Sequence, residues 1–144
     1  MSYVKVIIHS VWGTKGRAHV MKKSFRTALF KHMREEAIKK EIFIDFINGV
    51  DDHVHCLFFL NTNRSISKTL QLIKGEASHW VNQNKLMPSH FEWADEYFAV
   101  SVSESQLDKV REYIKNQEEH HRKKTFAEEC EEFMKKYGFR KDHG

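Results

Sequence analysis

The run Asp52-His53-Val54-His55-Cys56-Leu57-Phe58-Phe59-Leu60 constrains the fold of this chain more tightly than any other stretch. Its β-branched and aromatic content predicts a strand. Strand side chains alternate between faces, so His53 and His55 share one face with their rings side by side. Val54, Cys56, Phe58 and Leu60 share the other, which is wholly apolar and belongs against a core. Two imidazoles presented in parallel on a rigid strand form half of a site for a divalent metal. The remaining donors must come from elsewhere in the chain.

At 144 residues, the chain has the length of one domain with its own core. A net charge of +4 points weakly to a polyanionic partner. More telling is the grouping of Lys and Arg in residues 15–23 and 64–74 beside aromatic-rich segments. Two cysteines, one of them on the apolar strand face, are too few for a disulfide framework and fit a reducing compartment. The first residues lack the pattern of a secretory signal, and no apolar run reaches membrane-spanning length, so a cytoplasmic location is expected.

Residues 3–12 read as a first strand with Val4, Val6, Ile8 and Trp12 on one face and Ser10 as the exception. Ser24 is expected to cap a helix reaching about residue 40, with Phe25, Leu29, Met33 and Ala37 at four-residue spacing. Residues 41–50 form a second strand, and Asn48-Gly49 predicts the hairpin turn into the histidine strand. A second long helix spans 65–84, with Ile66, Leu70, Ile73, Ala77 and Trp80 on one face. Residues 97–103 supply a fourth strand. The order strand, helix, strand, strand, helix, strand defines an α+β class, the ferredoxin-like (RRM-like) pattern. That is a four-stranded antiparallel sheet with two helices on one face. The opposite face, carrying His53 and His55, is left for something else to cover.

Beyond this core of residues 1–104, a helix over 106–121 carries a seam of Leu107, Val110 and Ile114. Tyr113 and Gln117 are four residues apart and stack on one stripe beside that seam. Residues 122–144 hold a further amphipathic helix. Thr125-Phe126-Ala127-Glu128 has the form of a capping box, Phe126, Cys130, Phe133 and Tyr137 share a face, and Gly138 ends the helix. That face needs either its own sheet or a partner subunit to pack on.

A third helix laid over the open sheet face brings the Gln117 amide oxygen beside His53 and His55, with Tyr113 above them. Three protein ligands leave positions for a phosphate oxygen and water, as in a catalytic metal site. A tyrosine, with its ordinary pKa near ~10, is a poor nucleophile at neutral pH unless the phosphate it attacks is polarised. A phosphotyrosine product conserves the energy of the ester and permits rejoining.

At these residues the chain resembles a known family. His53-Val54-His55 matches the HUH motif (histidine–hydrophobic–histidine), and Tyr113-Ile114-Lys115-Asn116-Gln117 matches the nucleophile helix of single-tyrosine HUH transposases from small bacterial insertion sequences. The resemblance extends through Val11-Trp12-Gly13-Thr14-Lys15, residues 49–57, Leu72-Ile73-Lys74-Gly75 and residues 97–103. It implies that Tyr113 attacks the scissile phosphate of single-stranded DNA, becomes linked to the 5′ end and releases a 3′ hydroxyl. It implies Mg²⁺ or Mn²⁺ held by His53, His55 and Gln117, with Asp52 orienting an imidazole. It further implies DNA hairpins at element ends as substrate, and a homodimer in which the tyrosine helix can complete the partner's site. The active protein would associate with the nucleoid.

Lys15, Arg17, Arg64, Lys68 and Lys74 are the phosphate-contact candidates, against the plain alternative of solvated charge. Trp80 and Trp93 are candidates for stacking on unpaired bases, although Trp80 falls on an apolar seam. Two other functions compete. One is a domesticated or non-catalytic single-strand binding or nicking protein, since RRM-like sheets bind RNA on their open face. The other, a histidine-triad hydrolase, needs a third alternating histidine where this chain has Leu57.

Overall fold

A computed structural model describes residues 2–138; of the C-terminal segment, residues 139–144 lie outside the described part. The described elements are β1 (Ile7–Gly13), α1 (Lys23–Lys39), β2 (Phe43–Gly49), β3 (His53–Phe59), α2 (Ile66–Gln83), β4 (Phe98–Val102), α3 (Leu107–Lys115), α4 (Gln117–Lys123) and α5 (Phe126–Tyr137). The strands form one antiparallel sheet in the order β2-β3-β1-β4. This is the expected ferredoxin-like arrangement. None of the described helices is long and apolar enough to cross a membrane.

The two faces of the sheet bury different chemistry. Ile8, Trp12, Ile44, Val54, Cys56 and Phe58 pack under α1 and α2 with Leu29, Met33, Leu70 and Ile73 in one continuous core. Ser10 belongs to this face and remains polar at no cost, because its hydroxyl donates to the Cys56 carbonyl at 2.9 Å. On the other face, Ile7 and Leu57 pack against Leu107 and Ile114 of α3, while Val11 packs against Phe126 and Cys130 of α5. Leu57 and Ile114 are wholly buried, and each side chain contributes about 1.5–3 kcal/mol to holding α3 down. The histidine face is therefore roofed by its own chain, and α5 finds its packing surface on its own sheet.

Several local expectations are corrected. β1 begins at Ile7, and Val4 and Val6 are exposed, because β3 and β4 offer pairing partners only from Ile7 onward. α1 starts at Lys23 after Lys22 with no side-chain cap, so Ser24 lies inside the first turn. β2 continues through Asn48-Gly49, and the chain reverses at residues 50–52, where the Val50 amide donates to the His53 carbonyl at 3.1 Å. Gly49 is required there by close approach: a Cβ would lie 2.3 Å from the His53 carbonyl oxygen. Asn48 instead donates its amide to the carbonyls of Ile114 and Lys115 at 3.0 and 3.2 Å. Those carbonyls close the last turn of α3. The single helix expected over 106–121 consequently breaks at Asn116 into α3 and α4. The caps at Ser65 and Thr125 and the left-handed Gly138 are as expected.

Candidate metal centre and nucleophile

The register of β1 and β3 sets Val11 opposite His55 and Gly13 opposite His53. Gly13 leaves room for α5: a Cβ would come within 2.8 Å of Phe126 Cε2, and the Phe126 ring stacks on His53 at 4.1 Å with an interplanar angle of 3°. His53 and His55 are completely buried. Asp52 Oδ1 lies 2.8 Å from His53 Nδ1, and His9 Nε2 lies 2.9 Å from His55 Nδ1. A carboxylate only accepts, so His53 donates from Nδ1, and Nε2 is the nitrogen left for a metal to take once its own proton is displaced. The same holds for His55 when its Nδ1–H donates to His9. Both rings are thus oriented from behind, as metal-binding histidines are.

The charges follow from burial and partners. Burial drives His9 down to about 3, with His55 adding to the shift, so His9 is neutral. Burial likewise lowers His55. Burial also opposes a charge on His53, but the Asp52 carboxylate on one side and the Glu129 carboxylate on the other outweigh it and raise the ring to about 8. Asp52 is held below the usual carboxylate range, its burial overcome by the hydrogen bond to His53.

α3 and α4 deliver Tyr113 and Gln117 to this spot. A bidentate ion pair from Arg111 to Asp45, at 2.7 and 2.8 Å, ties α3 to β2. Asp45 sits at the irregularity between Ile44 and Phe46 that re-aims the strand. Arg26, buried in α1, reaches Glu118 at 2.9 Å and Asp51 at 3.2 Å and so fixes the start of α4. Gln117 is completely buried, with Oε1 3.3 Å from His53 Nε2. The Tyr113 ring lies 5.5 Å from His55 and 4.6 Å from His120.

Glu129 of α5 closes the constellation. It is buried, with Oε2 3.2 Å from His53 Nε2 and Oε1 2.8 Å from His55 Nε2. Oε1 also accepts the Tyr113 hydroxyl at 2.5 Å. Burial disfavours its charge, but the two histidines hold the carboxyl far below its usual range. Burial and this same carboxylate raise the Tyr113 phenol well above its ordinary value. His53, His55 and Glu129 form a buried group able to hold a metal ion. The fit has a second mark: His55 Nε2, the ring nitrogen turned to this space, is one of the buried polar atoms that have no hydrogen-bond partner among the described residues.

All four residues expected at the centre, together with Asp52, are therefore brought together. The basic candidates are not. Lys15 pairs with Glu92 at 2.7 Å, Lys74 donates to the Ala94 carbonyl at 2.8 Å, and both line a cleft of about 990 Å³ beside α2. Lys68 is exposed, Arg64 donates to the Lys40 carbonyl, and Arg17 lies over the Phe126 ring at 5.3 Å. Trp93 is buried in the core with its indole N–H on the Lys74 carbonyl, and Trp80 stacks on His32 at 3.9 Å.

Sequence reasoning missed His9 and Glu129. Each carried a signal. His9 alternates with Ile7 and Val11 on the second face of β1, and Glu129 is an acid three residues after Phe126 on the buried stripe of α5.

The sequence profile of the IS200-like transposases matches residues 2–117. The chain belongs to the IS200-like transposase family. Among solved structures, a candidate transposase from Deinococcus radiodurans R1 is similar with a TM-score of 0.65 and 24% identity, over 81% of this chain and 95% of that one. A REP-associated tyrosine transposase bound to a REP hairpin is similar with a TM-score of 0.63 and 14% identity, over 84% of this chain and 72% of that one. At these identities the two structures speak for the fold. A comparison with curated proteins gives no match.

Proposed function

We propose that this transposase cuts and rejoins single-stranded DNA through Tyr113. The observation that carries the reading is the convergence of the Tyr113 hydroxyl and the metal-facing atoms of His53, His55 and Gln117 in one buried site. Tyr113 Oη attacks the scissile phosphorus, the Oη–P bond forms as the P–O3′ bond breaks, and a 5′-phosphotyrosine and a 3′ hydroxyl result. The Tyr113 hydroxyl is oriented by its hydrogen bond to Glu129 Oε1, its proton leaves as the Oη–P bond forms, and the departing 3′ oxygen takes a proton in return. Rejoining is the reverse, with a 3′ hydroxyl attacking the phosphotyrosine.

His53, His55 and Gln117 are the residues that would hold Mg²⁺ or Mn²⁺, and Asp52 and His9 would keep the two rings aimed. The ion supplies positive charge against the phosphate oxygens as the phosphorus is attacked. The family and the hairpin-bound structural neighbour support hairpins at element ends as the substrate. Arg17 and Lys68 are the surface cations we read as phosphate contacts, whereas Lys15 is paired with Glu92 and Arg64 and Lys74 are partly committed to backbone carbonyls.

The test is adduct trapping. Purified protein is incubated with end-labelled single-stranded hairpins from the flanks of its gene in Mn²⁺ or Mg²⁺, then run on a denaturing gel. A covalent protein–DNA band that requires metal and is lost in Tyr113→Phe is expected. Hairpin binding with no adduct under any metal would overturn the reading in favour of a binding module.

A further inference from the structure

Glu129 has no counterpart among the ligands read from the sequence, yet both of its oxygens face the two histidines. The contact between His55 Nε2 and Glu129 Oε1 is only 2.8 Å long, but it is not a hydrogen bond, and His55 Nε2 has no hydrogen-bond partner. A ring nitrogen bonds along the line that bisects its two ring bonds. A close oxygen off that line means that the lone pair points beside the carboxylate rather than at it. Two donors that share an ion have this relation: each points at the ion, and they lie edge by edge.

The spacing agrees. Adjacent donors around an octahedral ion at ~2.05 Å lie about 2.9 Å apart, and around a tetrahedral ion at the same bond length about 3.3 Å apart. Here the separations are 2.8 Å (His55 Nε2 to Glu129 Oε1), 3.2 Å (His53 Nε2 to Glu129 Oε2) and 3.3 Å (His53 Nε2 to Gln117 Oε1), so either carboxylate oxygen has a histidine nitrogen at that spacing. His53, His55, Gln117 and Glu129 are all buried; donor atoms of His53, His55 and Glu129 lie within 4.8 Å of one another, and Gln117 Oε1 lies beside His53.

We infer that Glu129 is a fourth protein ligand of the catalytic metal, which makes α5 a structural part of the centre rather than a cover over it. This rests on the metal-dependent reading above. Three uncharged donors leave a divalent ion with its full charge inside the protein; the carboxylate halves that charge where burial makes charge expensive. It also couples the ion to α5, because a ligand carried by α5 cannot leave while the ion stays bound. Binding and docking are then linked by mass action.

The experiment is Mn²⁺ titration by calorimetry on the full chain, comparing wild type with Glu129→Gln, Glu131→Gln and His53→Ala. Loss of a ligand weakens affinity by about 10-fold or more, so Glu129→Gln should fall by at least that factor while Glu131→Gln, exposed on the same helix, stays at the wild-type value. Unchanged affinity in Glu129→Gln with loss in His53→Ala overturns the inference and leaves the metal reading standing. Unchanged affinity in both overturns both. Tighter Mn²⁺ binding in Glu129→Gln also overturns it, because the carboxylate is then an obstruction. A second readout needs no variant. Modification of Cys130 on α5 by a thiol reagent should slow on the order of tenfold in wild type at ten times the Mn²⁺ dissociation constant. A rate indifferent to Mn²⁺ overturns the assignment.

Discussion

His9 reaches neither the substrate space nor the metal-facing nitrogens, yet it determines which nitrogen His55 can offer. With its own pKa driven down to about 3 by burial and by His55, it stays neutral at any working pH, and in the tautomer with its proton on Nδ1 it accepts from His55 Nδ1 at 2.9 Å. Replacing it by Phe keeps the volume and removes the acceptor, leaving His55 free to turn or to change tautomer. His9→Phe should weaken Mn²⁺ binding by about 10–100-fold, the usual consequence of losing a partner behind a metal-binding histidine. His9→Gln, which retains an acceptor, should recover part of the loss. Calorimetry on proteins with matched melting curves measures this, and equal affinities in wild type and His9→Phe would dismiss the role. The sequence disclosed His53 and His55 because two histidines at alternate positions in an otherwise apolar run have few readings. It did not disclose His9, because a lone histidine in a strand is informative only once the register is known, and the register comes from pairing with β3.

Among the elements, those whose ends are fixed by their own residues were readable. Ser65 accepts from the Lys68 amide, and the Thr125 and Glu128 reciprocal cap is present in full. Ends fixed by distant residues were not. The break at Asn116 depends on Asn48 taking two α3 carbonyls from another strand, and on Arg26 holding Glu118 from α1. The Thr125 cap gives α5 a testable weakness of its own. Thr125→Ala costs about 1 kcal/mol of helix stability, spent almost wholly on docking of α5. The two thiols report it separately: burial pushes Cys56 up to about 12 and Cys130 up to about 11, so neither is reactive near pH 8 while docked. In Thr125→Ala the Cys130 modification rate should rise about fivefold, the equivalent of about 1 kcal/mol, with Cys56 unchanged behind α1 and α2. A parallel rise in both thiols would show that the whole domain, not α5, had been loosened.

The molecule as a whole assembles its candidate site from one chain. Tyr113 arrives on α3, which is bound to β2 of the same chain through Arg111 and Asp45 and through Asn48. It donates to a Glu129 that lies against the histidines of the same chain. A tyrosine helix shared between subunits would make the same contacts on the partner's sheet, including the bidentate ion pair and the Leu57–Ile114 packing beneath it. The resemblance to the family admits exchange of that helix between partners, and the same contacts serve either arrangement. Mixing experiments separate the two. A Tyr113→Phe chain keeps its donors and lacks the nucleophile, whereas a His53→Ala chain has the nucleophile and lacks a donor. With sites complete in one subunit, neither parent nor mixture forms the covalent DNA adduct, even where mixed dimers are verified by differential tags. With sites shared between subunits, a verified mixed dimer regains one intact site. Adduct at a substantial fraction of the wild-type level would mean that the tyrosine helix crosses to the partner when DNA is bound, and that the single-chain arrangement is the resting one.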